Sequence, residues 1–271
     1  MTTQVLNEKD SVVLSDQDLF DANGRCIPRG LSAEVHVKTR HYFQINQPKV
    51  DYAEIYARIS RHLGSASQLT AEAFAARSKK ILQGLESDAR TQNIVKGVGV
   101  PFFIPKSAPG DIGEKLESMY IPAATSAYSE MFPSYGFKNH YKETLKNRFT
   151  VVPGTRHDKL VSLTANEDVV GYYFPCLLEY SVPATRELVQ KLSDKFMLAG
   201  GFDTFAAVIA APDLLFNKDF YPPLLWLAAL EGEKPTAGYH FEAYGYNLTF
   251  NRKPHFDKVA EYWAAGLVVL G

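Results

Sequence analysis

The segment Tyr239 to Phe250, reading YHFEAYGYNLTF, constrains the fold more than any other stretch of the chain. Aromatic and apolar residues alternate there with polar ones, the period of a β-strand. Read as one continuous strand, it places His240, Glu242, Tyr244 and Tyr246 on one face, with Leu248 and Phe250 further along. Tyr239, Phe241, Ala243, Gly245, Asn247 and Thr249 take the other face. Ala243 and Gly245 are small, which predicts a close neighbour on that side. A lone strand is not stable in water, so this segment demands a sheet and a covering layer.

The rest of the chain supplies both. Ala33 to Ile45 also alternates and predicts a half-buried strand that ends before Pro48. Helices are predicted from Asp51 to Leu63, stopped by Gly64, and from Thr70 to Glu86. Ile94 to Ile104 predicts a strand with a bulge at Gly97 and Gly99. Asp111 caps a helix to Tyr120 that Pro122 breaks or kinks and Ala123 to Met131 continues. Phe149 to Val152 and Lys159 to Thr164 predict a hairpin around Pro153-Gly154-Thr155, and Val169 to Glu179 a further strand. Pro183 opens a helix whose buried side carries Leu188, Val189, Leu192 and Phe196. Phe202 to Ala211, Leu224 to Leu230 and Phe256 to Ala265 also predict helices, and Leu267 to Leu270 an edge strand.

These elements predict an α+β protein, a mixed or antiparallel sheet with helices packed on it. At 271 residues the chain fits one domain, since a single core grows to roughly 250–300 residues before chains tend to split. No repeat or linker divides it. Residues 1–30 are polar and irregular and read as a surface arm.

Composition excludes several classes. The net charge of -1 carries no basic excess, which argues against a nucleic-acid partner. No stretch has the roughly 18 apolar residues of a membrane span. The first residues lack the basic start and apolar run of a secretory leader. Cys26 and Cys176 stand apart from any metal-type spacing. Together these predict a soluble, cytoplasmic protein.

Familiar catalytic fingerprints are missing. Gly97-Val98-Gly99 lacks the third glycine of a dinucleotide loop and runs into Pro101, and no phosphate-loop, zinc-protease, Cys-x-x-Cys or nucleophile-elbow motif occurs. No cofactor and no metal are therefore expected. The positive signal is the row His240, Glu242, Tyr244 and Tyr246. A histidine beside a carboxylate can move protons near neutral pH, and tyrosines can orient a flat ligand. The competing reading is a solvated sheet face, where tyrosine is simply a good strand residue. Arg40 is a second candidate, through its bidentate fork for a carboxylate. The apolar stretch Phe202 to Leu230 could line a pocket with Tyr221 and Trp226 at its mouth. Arg156-His157-Asp158 reads as an exposed polar turn. The expected function is an enzyme using acid–base chemistry on a small apolar or aromatic metabolite, by isomerisation, cyclisation or condensation. The alternative is a non-catalytic interaction or assembly protein, or a binder of hydrophobic ligands. A homo-oligomer is compatible with either.

Overall fold

Asp51 and Thr70 cap two helices, as their sequence positions predict. Asp51 accepts the backbone N–H groups of Ala53 and Glu54 at the start of α1 (Tyr52–Leu63), and Thr70 accepts that of Ala73 at the start of α2 (Ala71–Glu86). The structure is a computed structural model that describes residues 18–64 and 67–271. Further helices are α3 (Ile112–Lys115), α4 (Ile121–Met131), α5 (His157–Thr164), α6 (Val182–Lys191) and α7 (Gly201–Ala210). A π-helical turn, Leu116–Tyr120, joins α3 to α4. It sits where the Pro122 ring would otherwise press on the carbonyl four residues back, so the helix widens rather than breaks.

Among the described residues the strands are β1 (Val100–Ile104), β2 (Phe137–Asn139), β3 (Thr150–Val151), β4 (Val169–Leu178), β5 (Phe196–Leu198), β6 (Leu224–Trp226), β7 (Leu230–Glu231), β8 (Ala237–Tyr244), β9 (Asn247–Pro254) and β10 (Trp263–Leu270). All but β3 and β7 form one mixed sheet in the order β1-β4-β10-β6-β8-β9-β2, with β5 also paired to β10. The fold is α+β, a mixed sheet with helices packed against it. α7 is buried along its whole length and packs on β1, β4, α1 and α4. That is where an all-apolar helix belongs. Its Phe205 ring lies 4.6 Å from Phe241 and 5.3 Å from Phe250, joining helix to sheet.

Several expectations are corrected. Tyr239 to Phe250 is a hairpin, not one strand: β8 and β9 pair from Ala237↔Pro254 to Tyr244↔Asn247, leaving Gly245 and Tyr246 as the turn. Gly245 has φ +60 and Tyr246 no positive φ, the pattern of a type II′ turn with glycine first. A side chain at Gly245 would meet nothing within 4 Å, so its smallness serves the turn and no close neighbour. Leu224 to Leu230 holds two short strands, and Phe256 to Ala265 is turn running into β10. Leu267 to Leu270 lies inside the sheet, flanked by β4 and by β5. Lys159 to Thr164 is helical, and the long helix from Pro183 ends at Lys191 before Phe196 begins β5. Gly97 ends a 3-10 turn, Gln92–Lys96, and packs against the backbone of Gly24.

Ala33 to Ile45 forms no strand; its backbone pairs outside the strands, at the bridges Val35↔Tyr180 and Phe43↔Tyr221. The expected inward face is not kept, since Val37 is 72% exposed and His41 is exposed, and side-chain anchors take the place of a ladder. Arg25, itself buried, donates to the carbonyls of Leu178, Val37 and His36. Glu179 follows β4 with φ +61 and accepts from the Thr39 hydroxyl and the Arg40 N–H. Of the first 30 residues, 1–17 lie outside the described part; beyond them Phe20 and Cys26 are buried.

Candidate functional site

The hairpin decides which of the predicted residues meet. His240 and Glu242 stay on one face of β8, two residues apart, with His240 Nε2 3.4 Å from Glu242 Oε2. His240 pairs with Trp226 across β6 and β8, and its ring meets the Trp226 ring edge-on at 5.0 Å. Trp263 stands 5.1 Å beyond Trp226. This double layer of indoles buries His240, at 1% exposure, while the Glu242 side chain keeps 35%. The pair therefore spans the boundary between core and solvent.

Glu242 opens into a cleft of about 650 Å³. Aromatic rings from distant parts of the chain wall it: Phe43, Phe220, Tyr221, Tyr246 and Tyr262. Phe43 arrives through its bridge to Tyr221, and its ring lies 5.7 Å from that of Tyr262. Lys253, on β9 opposite Gly238, places its ammonium 4.6 Å from the centre of the Tyr262 ring. Lys218 and Asp219 complete the polar side of the wall.

The electrostatics follow from the depth of each group. Burial pushes the His240 imidazole below its usual range, against the opposing pull of Glu242. The ring is thus neutral near pH 7, with Nε2–H positioned to donate to Glu242. That bond, with smaller help from the charge of Lys253, holds the Glu242 carboxyl below its usual range despite partial burial. An ionised, oriented carboxylate at an aromatic cleft is a base with a defined aim.

No protein-family model, curated protein or solved structure matches the chain. The site is read from its own chemistry.

Of the predicted residues, His240, Glu242, Tyr246 and Tyr221 gather here, Tyr221 at the mouth with 68% exposure. Trp226 is not at the mouth: it is buried behind His240. Tyr244 precedes the turn, is 79% exposed and lies outside the cleft wall. Arg40 is also outside it, its guanidinium 2.6 Å from Glu261 on the surface. Phe43, Lys253 and Tyr262 escaped sequence reading. Phe43 and Tyr262 are brought in by pairings with distant segments, at Tyr221 and Leu224, and Lys253 by the register of the β8–β9 hairpin.

His157 corrects another expectation. It is fully buried, not part of an exposed turn, with Nδ1 3.6 Å from Asp203 Oδ2. Asp203 accepts the N–H groups of Gly200 and Thr204 at the start of α7. Burial holds the His157 ring low, opposed by Asp203. This pair lies in the core and lines no part of the Glu242 cleft. Among the described residues no cluster of three or more His, Cys, Asp and Glu side chains could hold a metal ion, and no helix is long and apolar enough to cross a membrane.

Proposed function

We propose that the cleft binds a small planar metabolite and that Glu242 moves a proton on it. The observation that carries this reading is the position of Glu242: ionised, half-exposed into an aromatic cleft, and held by a buried neutral histidine. The rings of Tyr221, Tyr246 and Tyr262 favour a flat, largely apolar body. Glu242 would remove a proton from carbon beside a carbonyl of the bound molecule. Its electron pair would pass to the carbonyl oxygen, where the Lys253 ammonium offsets the developing charge. The same Glu242, now protonated, would return the proton at another atom, completing an isomerisation; a cyclisation or condensation would start from the same anion. His240 positions Glu242 and never meets the substrate. No nucleotide cofactor enters this scheme.

A second reading has its own observation. Phe220 and Tyr221 are exposed in the cleft wall, and Tyr42, stacked 6.4 Å from Tyr221, extends that aromatic surface beyond it. It favours a binder of hydrophobic ligands, or a protein-interaction surface.

One experiment separates them. A thermal-shift screen of planar carbonyl compounds identifies ligands, since saturation at a hundred times Kd adds about 2.7 kcal/mol of stability. Hits are then followed by NMR in deuterated water. Exchange of a carbon-bound proton, lost by about a hundredfold or more in Glu242→Gln with binding retained, supports catalysis. Exchange unchanged in that variant overturns the assignment of the base. Binding without exchange in the native protein selects the binder.

A further inference from the structure

A second cleft, of about 480 Å³, is lined in part by residues of the segment 41–47, and Phe43 belongs to the walls of both. Its lining differs in kind. It carries Arg25, His41, Lys96 and the carboxamides of Gln44, Asn46 and Gln47, and no carboxylate. In a chain with a net charge of -1, a cleft holding only cationic and neutral polar groups is a local reversal of sign.

The guanidinium at its base is held by carbonyl dipoles and by the Tyr180 ring, whose centre lies 5.4 Å away, and by no ion pair among the described residues. Arg25 is 4% exposed and its donors go to three backbone carbonyls, which leaves part of its fork uncommitted. A buried guanidinium ordinarily has an anionic partner, because carbonyl dipoles replace hydration but leave the charge. Two carboxylates stand near its contacts in the chain, and neither is part of the lining: Asp21 receives the N–H groups of Asn23 and Arg25, and the buried Glu179 accepts from Thr39 and Arg40. Neither Arg25 nor Lys96 forms an ion pair among the described residues. The wall is also built to keep its shape. Gln47 clamps Gly99 through both ends of its carboxamide, accepting from the N–H at 2.8 Å and donating to the C=O at 2.9 Å. His41, on the rim, holds φ +53, a conformation a non-glycine residue keeps only when its surroundings impose it.

We propose that this cleft is a binding site for a small organic oxyanion, a carboxylate or phosphate ester with a hydroxylated body. The cations take the anionic group and the carboxamides hydrogen-bond the body. The assignment is independent of the reading of the Glu242 cleft.

The test is calorimetric titration of the whole chain at low ionic strength, where surface charges are least screened. The titrants are inorganic phosphate, malate, glucose 6-phosphate and, as a neutral control, glucose. At least one of the three anions binds with a Kd below about 1 mM, and glucose does not. Lys96→Gln weakens that binding about tenfold, and Asn46→Asp, which sets a negative charge in the wall, weakens it further. Both positions are exposed, so the variants fold. Lys218→Gln, in the other cleft, leaves the affinity unchanged. The proposal is overturned if no anion binds, if glucose binds as well as its phosphate, if both Lys96→Gln and Asn46→Asp bind normally, or if Lys218→Gln removes the binding.

Discussion

The two deepest histidines set how the molecule responds to acid. His157 and His240 are both held below the usual imidazole pKa, each by burial first. Unfolded, such a ring titrates near about 6.5. Below that pH the unfolded chain takes up a proton the folded chain refuses, so the stability from the neutral ring is present above about pH 6.5 and is lost as pH falls. At His157 the raised carboxyl of Asp203 works in the opposite sense, since a buried acid favours the fold when protonated. His240 is the cleaner probe, because the lowered carboxyl of Glu242 acts only near the carboxylate range. Urea midpoints at about pH 7.5 and about pH 5.5 should show native stability falling in acid. The fall should be shallower in His240→Gln, by up to about 1.4 kcal/mol per pH unit. Equal falls in the two proteins would mean that His240 is protonated when folded.

At the scale of elements, two glycines solve different problems. Gly245 opens the β8–β9 turn with φ +60 and open space around it. Gly245→Ala should cost about 1 kcal/mol, a backbone term alone. Gly266 falls at the shift of register between Ala265 and Leu267 in β10, and a Cβ there would enter the Tyr173 ring. Gly266→Ala should therefore cost more, about 1–3 kcal/mol, and Gly266→Ala with Tyr173→Leu less than the sum of the two changes. Denaturant midpoints of the two glycine variants, of Tyr173→Leu and of the double variant check the order; additive costs at Gly266 and Tyr173 would show that the ring does not set the requirement. The turn was within reach of sequence reading, because Tyr-Gly-Tyr-Asn carries a turn glycine. Unbroken alternation on both sides hid it, since a two-residue turn keeps the count of two.

For the whole molecule, the segment from Phe20 to Gln47 converts a sheet into a protein with two clefts. It has almost no ladder of its own, and bonds to or from the side chains of Arg25, Glu179, Gln47, Tyr180 and Glu187 fasten it. Arg25→Ala would leave the carbonyls of His36, Val37 and Leu178 without their donor in a partly buried setting. The expected loss is about 3 kcal/mol or more, read from chemical denaturation, with protease cutting of the native protein increased within residues 30–47. A change below about 1 kcal/mol would mean that the segment is held by its apolar contacts instead.

What the sequence determined by itself is what short-range physics encodes. Caps at Asp51 and Thr70, the apolar run of α7 and the aromatic period of β8 each carry their information within a few residues, and together they specify helices on a sheet. The pair His240 and Glu242 was legible for the same reason, since residues two apart on a strand share a face. Only the tertiary structure decided the rest. Leu224 to Trp226 became strand because β8 and β10 offered it partners on both edges, which outweighs local preference. Phe43, Tyr221 and Tyr262 became one wall with Lys253 of the hairpin through pairings between distant segments. His157 and Asp203 became neighbours because two helices begin at one point in the core. Such meetings depend on where the chain returns, and no local pattern of residues records that.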